Sequence, residues 1–458
     1  MFRFKSPIYL LSVLLLMVSC GPGQKKGQAE TRALDDKARL APWAYNAVIY
    51  EVNIRQYTPE GTFKAFSNHL PRLKELGVDI LWLMPIHPIG EQNRKGTLGS
   101  YYSIKDYKGV NPEYGTIEDF KALVTKAHEL GLKVIIDWVA NHSSWDNAWV
   151  IEHPDWYAKD SLGNMYAPFD WTDVAQFDYS NQGLREAMKE AMTYWVREAD
   201  IDGFRCDVAG MVPVDFWESA REALDSIKPV FMLAEDEDVS ALLEKAFNCN
   251  YGWNFHHHMN KIAQGNEKAS DLTVWFESLS RKVPEGAFQM HFTTNHDENS
   301  WNGTVFERMG EAYKTMAVLT FTVEGMPLIY SGQEAGLSKR LEFFEKDLID
   351  WSDLSMNAFY KELIRLKKEN EALWNGSYGG KLELIATDHP DEVLMFTRQS
   401  GNNQVIAIFN LSGNEVEVSA ETAISGQYPD FFTGNIVTLP LHGFNLKPWE
   451  YRVISIQE

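Results

Sequence analysis

The apolar positions of the chain follow two rhythms in succession. From about residue 42 to 375, short continuous apolar runs of the buried-strand type alternate with stretches whose apolar residues recur at helical spacing. The strand-like runs are Val48 to Tyr57 (a strand and its exit), Ile80 to Met84, Lys133 to Asp137, Gly203 to Cys206, Val230 to Ala234, Phe288 to Thr293 and Pro327 to Tyr330. Ala246 to Trp253 supplies the sixth of eight. The helical stretches are Phe63 to Leu76, Ile117 to Leu130, Gln182 to Glu198, Asp215 to Ser226, Thr304 to Val323 and Met356 to Lys368, and Gly77 and Gly131 stop the first two.

Eight such units predict an α/β fold, a (β/α)8 TIM barrel, with its chemistry gathered at the C-terminal ends of the strands. An open doubly wound sheet is the alternative. It lacks support here, because the chain has no dinucleotide-binding glycine fingerprint and polar groups end many of the strands. Residues 141–181 break the rhythm after the third strand. They are rich in Trp, Asp and turn residues, and they predict a small excursion over the mouth of the barrel. Beyond residue 375 the helical periods stop. Leu394 to Thr397, Val405 to Phe409, Glu415 to Val418 and Tyr451 to Ile454 read as short antiparallel strands, so residues 376–458 are expected to form a C-terminal antiparallel β-sandwich domain.

The chain's 458 residues permit one large domain and an appendage, and its formal net charge of −21 argues against a nucleic-acid or anionic-membrane partner. Residues 1–20 read as a lipoprotein-type signal peptide. Arg3 and Lys5 precede an apolar Leu10 to Val18 segment too short for a membrane span, and Ser19-Cys20 follows. Cys20 is therefore the expected lipidation site and residues 21–41 a flexible tether. Together they predict a lipid-anchored, exported bacterial cell-envelope lipoprotein at the membrane, periplasmic or outer-membrane-associated. Only Cys206 and Cys249 then remain, which argues against a disulfide framework in a core large enough not to need one.

The candidate chemistry centres on Gly203-Phe204-Arg205-Cys206-Asp207. Alternate strand side chains share a face, so Arg205 and Asp207 point together while Cys206 turns away as a small core residue. A guanidinium fixed beside a carboxylate keeps it ionised and oriented, as a carboxylate nucleophile requires. Asp137, Glu235 and Asn295-His296-Asp297 end three further strand candidates.

With these segments in order, the chain resembles the α-amylase family of retaining α-glucoside hydrolases and transferases. The resemblance is carried by Asp137-Trp138-Val139-Ala140-Asn141-His142, by Gly203 to Asp207, by Glu235 after Phe231-Met232-Leu233-Ala234, and by Phe292 to Asp297. Gly99 to Tyr107, Asn111 to Thr116 and Gly332-Gln333-Glu334 are also similar. It implies that Asp207 is the nucleophile, Glu235 the general acid/base and Asp297 the third catalytic carboxylate. It also implies that Tyr102 stacks on the sugar beside the cleaved bond, that His142 and His296 donate hydrogen bonds to it, and that Arg205 supports Asp207. Such chemistry needs one ionised carboxylate and one protonated carboxyl.

Relatives often use the residue matching Asn141 to order the excursion around calcium. A Lys-His pair that many of them carry beyond the nucleophile is here Gly210-Met211. No cofactor is expected to be required for the chemistry. A structural calcium is left open, with Asn141, Asp173 and Asp178 as candidate oxygen ligands. His256-His257-His258 reads as a loop or substrate-rim segment rather than a metal site. Of Trp145, Trp149, Trp156 and Trp171, at least half are expected to hold the excursion together. The expected substrate is an α-1,4-linked glucan or maltooligosaccharide, cleaved by hydrolysis. An α-glucan transglycosylase and a noncatalytic glycan-binding lipoprotein are the alternatives.

Overall fold

The eight apolar runs become strands that close on one another. A computed structural model describes residues 41, 43–279 and 283–457. In it, β1 (Ile49–Val52), β2 (Ile80–Leu83), β3 (Lys133–Trp138), β4 (Gly203–Cys206), β5 (Phe231–Ala234), β6 (Cys249–Tyr251), β7 (Phe288–His291) and β8 (Met326–Tyr330) form a closed parallel barrel in chain order. Ile49 of β1 stands opposite Ile80 of β2 and Leu328 of β8, so the sheet has no free edge.

Side-chain alternation then decides what fills the barrel. Its interior cluster holds Ile49, Ile80, Ile135, Phe231, Phe288 and Met326. Two or four residues further along the same inward rows stand Glu51, Asp137, Arg205, Asp207 and Glu235. The rows therefore turn from apolar to charged toward the strands' C-terminal ends. The outward rows, including Tyr50, Val134, Phe204, Cys206 and Met232, merge with the apolar faces of the surrounding helices. Cys206 is thus a buried core residue. Gly203 is needed where β4 meets β5: its φ is +151°, and an added Cβ would lie 1.9 Å from the Phe231 carbonyl oxygen.

Two predicted helices are interrupted. The Phe63 to Leu76 stretch divides into Phe63–Phe66, a tight turn Ser67–His69 and Leu70–Leu76, in which Pro71 cannot donate to a preceding turn. The Thr304 to Val323 stretch divides into Val305–Met309 and Tyr313–Thr322, with Gly310 between them at φ +50°. Helices Trp253–Ala263 and Ala269–Leu279 follow β6, and the former contains all three adjacent histidines rather than placing them on a loop.

The excursion is a small unit pinned over the barrel mouth. Strand His142–Ser144 pairs antiparallel with Val174–Gln176, and Trp149 and Trp156 pack beneath it with Tyr107 and Phe177. Beyond the barrel, Leu382–Leu384, Val393–Ser400, Asn403–Asn410 and Tyr451–Gln457 make a four-stranded antiparallel sheet. One face, with Met395, Ile406, Ile408 and Ile454, packs against the shorter strands of a sandwich that carry Val418, Val437 and Leu446. The other face, with Leu394, Phe396, Ala407, Phe409 and Val453, joins the core of the barrel helices.

The expectation of a membrane protein requires correction. Among the described residues no helix is long and apolar enough to cross a membrane. Helices such as Ile117–Glu129 and Gln182–Ala199 bury one apolar face and turn a polar face to solvent, while Tyr313–Thr322 is buried in the core almost along its whole length. Residues 1–20, Cys20 included, lie outside the described residues.

Candidate active site

The ends of β3, β4, β5 and β7 bring the predicted acids to one point. Arg205 is fully buried beneath them. Its Nη1 donates to Asp137 Oδ1 at 2.8 Å and to Asp207 Oδ1 at 2.9 Å, and its Nη2 lies 2.8 Å from Glu235 Oε2 out of hydrogen-bond alignment. Its Nε donates to the Tyr251 hydroxyl at 3.1 Å. One guanidinium thus gathers three carboxylates, with aligned bonds to Asp137 and to Asp207, the residue named as nucleophile. Burial pushes the Asp207 carboxyl well up, the Glu235 charge pushes it the same way, and Arg205 pulls it back. The aligned Arg205 bond favours the ionised form of Asp207 against that burial.

The turn after Asp207 is strained. Val208 has φ +37°, an uncomfortable value for a β-branched residue, and its N–H donates to Glu235 Oε2 at 2.9 Å. Gly210 follows for steric reasons, since a Cβ there would lie 2.0 Å from Asp236 Oδ2. The departure at Gly210-Met211 is therefore a close approach of two strand-end loops.

Asp297 sits opposite on the β7 loop, with 34 % of its side chain open to solvent. A π-type turn, Glu298–Asn302, follows it directly. His296 Nδ1 donates to Glu51 Oε1 at 2.5 Å, while its Nε2 lies 2.8 Å from the Tyr102 hydroxyl and 3.2 Å from Asp297 Oδ2. Tyr102 in turn donates to Asp137 Oδ2 at 3.0 Å. Burial alone would depress the His296 imidazolium, but Asp297 and Glu51 outweigh it and hold the proton well above the usual histidine range. Burial likewise works to raise Asp297, and the His296 charge overrides it and holds that carboxyl low. His142 differs: burial drives it down to about 3, so it is a neutral imidazole.

These groups surround a cleft of about 450 Å³ lined by Tyr102, His142, Asp207, Glu235, His296 and Asp297. Lys95, Trp171, Trp301, Phe343 and Phe344 complete its rim. All seven predicted catalytic and sugar-contact residues therefore meet, Arg205 from below. The calcium candidates do not converge. The Asn141 side chain exchanges two hydrogen bonds with Gln176, at 2.8 and 3.2 Å. Asp173 lies 3.3 Å from the Lys95 ammonium, and Asp178 faces a separate surface groove. Among the described residues no three His, Cys, Asp or Glu side chains are grouped to hold a metal ion. These donors do not fit a calcium centre. The three histidines also diverge: His256 meets Glu298 at 3.1 Å, His258 meets Glu267 at 2.5 Å, and His257 stacks on Trp253. Trp171 borders the cleft beside His142, whereas Trp149 and Trp156 are excursion core.

Glu51 and the rim residues Lys95, Trp301, Phe343 and Phe344 went unread in the sequence. Glu51 is a buried acid near the end of its strand, the same signal as Asp137, but the apolar run around it continues through Ile54 to Tyr57 and hides the strand's end. The rim residues sit in loops whose partners lie far along the chain.

A closed parallel barrel that clusters acids on one buried arginine above a sugar-sized cleft defines a glycoside hydrolase of the (β/α)8 class. The family model described as the α-amylase catalytic domain matches residues 32–161 and 151–357. The chain belongs to that family, and it is an α-amylase-like glycoside hydrolase. It is 31 % identical to a noncanonic maltogenic α-amylase, AmyB, from Thermotoga neapolitana, whose crystal structure superposes with a TM-score of 0.83 over 90 % of this chain and 99 % of that one. An α-amylase from Lactobacillus plantarum gives 31 % identity and a TM-score of 0.80 over 90 % and 98 %. The α-amylase MalA of Haloarcula japonica is 27 % identical over 87 % of this chain, which spans only 60 % of that protein's length.

Proposed function

We propose that the cleft hydrolyses α-1,4-glucosidic bonds of starch-like glucans or maltooligosaccharides with retention, through a glycosyl ester on Asp207. The observation that carries this reading is the single Arg205 guanidinium between Asp207 and Glu235. With a sugar against Tyr102 and His142, the Asp207 carboxylate attacks C1 while Glu235 gives its proton to the departing glycosidic oxygen. The C1–oxygen bond breaks as the ester bond forms. Glu235, now a carboxylate, takes a proton from water, which attacks C1 and releases Asp207. Asp297 and the His296 imidazolium grip hydroxyls of the same sugar. His142, being neutral, can donate one hydrogen bond without adding charge beside the oxocarbenium-like centre.

No step calls for a cofactor. Asn141, bound to Gln176, orders the excursion through an amide pair. Hydrolysis is separated from transfer by products at high maltooligosaccharide concentration, where shorter sugars mark hydrolysis and early longer ones mark transfer. The covalent step is tested with a fluorinated α-glucosyl probe bearing an activated leaving group. Peptide mass spectrometry should place the adduct on Asp207, and reproducible labelling of another carboxylate would overturn the assignment.

A further inference from the structure

Residues 95–98, on the loop after β2, form a strap between two opposite rims of the cleft. On one side the Lys95 ammonium lies 3.3 Å from Asp173 Oδ1 and donates to the Asp170 carbonyl at 3.3 Å, both on the excursion. On the other, the Leu98 N–H donates to the Phe344 carbonyl at 3.2 Å and the Thr97 N–H to Glu345 Oε1 at 2.8 Å, both on the loop after β8. Gly96 makes the crossing close, because its φ is +62° and a Cβ would lie 2.5 Å from the Phe344 Cβ. Lys95, Asp173 and Phe344 all line the catalytic cleft. Past Glu235 the arrangement is different. Glu235 and Val208 border both the cleft and a second hollow of about 430 Å³, which continues along Gly210, Met211, Trp253 and His257.

These two ends have chemical identities, given the glucan-hydrolase reading on which this inference rests. Glu235 protonates the leaving oxygen, so the reducing-side sugars leave past Glu235 into the second hollow, where the stacked Trp253 and His257 rings offer a flat platform. C4 lies across the pyranose ring from C1, so a sugar attacked at Asp207 with its leaving oxygen at Glu235 would direct its 4-hydroxyl away from β5, to the strapped side of the barrel mouth. We infer that Lys95 and its strap close the non-reducing side, so that the enzyme removes short products from the non-reducing ends of chains and does not cut within them. Specificity of this kind is steric rejection of a longer chain rather than a gain in contact with a short one.

The test compares a nitrophenyl maltoheptaoside whose non-reducing 4- and 6-hydroxyls are blocked by a bulky acetal with its unblocked twin, products being followed by chromatography. The blocked substrate should be cleaved with kcat/KM at least about tenfold lower than the twin. Lys95→Ala, which unties the excursion, and Glu345→Ala, which unties the other anchor, should each narrow that ratio and raise viscosity loss per reducing end formed on soluble starch. Two independent variants guard against a folding defect in either. Cleavage of both substrates within about twofold by the native enzyme would overturn the closed end. A native ratio left unmoved by both variants would overturn the role of Lys95 and the strap. Absence of cleavage of the unblocked twin and of starch would overturn instead the glucan-hydrolase reading beneath it.

Discussion

The charges in the cleft are set by neighbours a residue or two away in space, and each can be removed singly. Asp207→Asn keeps the side-chain size and the contact to Arg205 but cannot form the glycosyl ester. Its kcat should fall at least about a thousandfold, with maltooligosaccharide affinity retained, as turnover and equilibrium binding measured side by side would show. Glu235→Gln should hurt substrates with poor leaving groups most, because an activated aryl group departs with little proton assistance. Glu51 acts at one remove, as a positioning residue. It is buried and holds His296 Nδ1, and with Asp297 it keeps that imidazole protonated above the usual histidine range. A raised folded-state pKa contributes stability that is fully present below the unfolded value of about 6.5 and is lost as pH rises through the folded value. Activity that needs the imidazolium is lost over the same alkaline interval. Glu51→Gln removes one of the two charges, so the alkaline limb of kcat/KM should move to lower pH while the acid limb stays. A profile displaced equally on both limbs, or not displaced, would remove Glu51 from this role.

At the scale of elements, the excursion is tied to the barrel loops by bonds such as those from Tyr107 and Asn147, and within it the Asn141–Gln176 amide pair joins the end of β3 to strand Val174–Gln176. Gln176→Ala leaves a buried carboxamide half-satisfied and should cost about 1–3 kcal/mol. We expect faster hydrogen exchange at His142–Ser144, a higher KM, and native-enzyme activity that survives chelation. Loss of activity on chelation, restored specifically by calcium, would reject the amide pair as sufficient support. The strands were legible because a parallel barrel buries both faces and so writes continuous apolar runs, and the acids were legible because they end those runs. The helix Trp253–Ala263 was not, since His256-His257-His258 masks its apolar positions, although Phe255, Met259 and Ile262 do fall on one buried face. The strap was illegible for another reason. Thr97 meets Glu345 across 248 positions, and local pattern carries no trace of such a pairing. Glu51 and His296, 245 positions apart, are the same case inside the barrel.

The molecule as a whole is two cores joined by one seam, and Arg398 of the C-terminal sheet is the residue that closes it. Its guanidinium is buried and, among the described residues, meets no carboxylate within ion-pair distance; it donates instead to the carbonyls of Gly380, Val323, Thr322 and Trp374 at 2.7–3.2 Å. Thr322 and Val323 end the helix that leads into β8, so these bonds tie the sheet to the barrel's last unit. Burial pulls Arg398 down to about 10, a measure of how little water reaches it. Around it, Asn370 at the end of the last barrel helix accepts from Asn403 Nδ2 at 3.0 Å, and the Asn403 side-chain oxygen accepts from the Ala372 N–H at 2.8 Å. Arg398→Met keeps much of the apolar stem but strands four carbonyls at the seam. The cost should be about 3–5 kcal/mol, concentrated where the two cores meet rather than within either. Scanning calorimetry of the variant should therefore show the sandwich unfolding ahead of the barrel, as an early transition absent from the native protein. Below that transition, turnover of short maltooligosaccharides should be unchanged, because the Arg398 partners Thr322, Val323, Trp374 and Gly380 are not among the residues that line the cleft. A variant that melts in one step at the native temperature would show that the apolar face of Leu394, Phe396 and Phe409 holds the two cores together without Arg398.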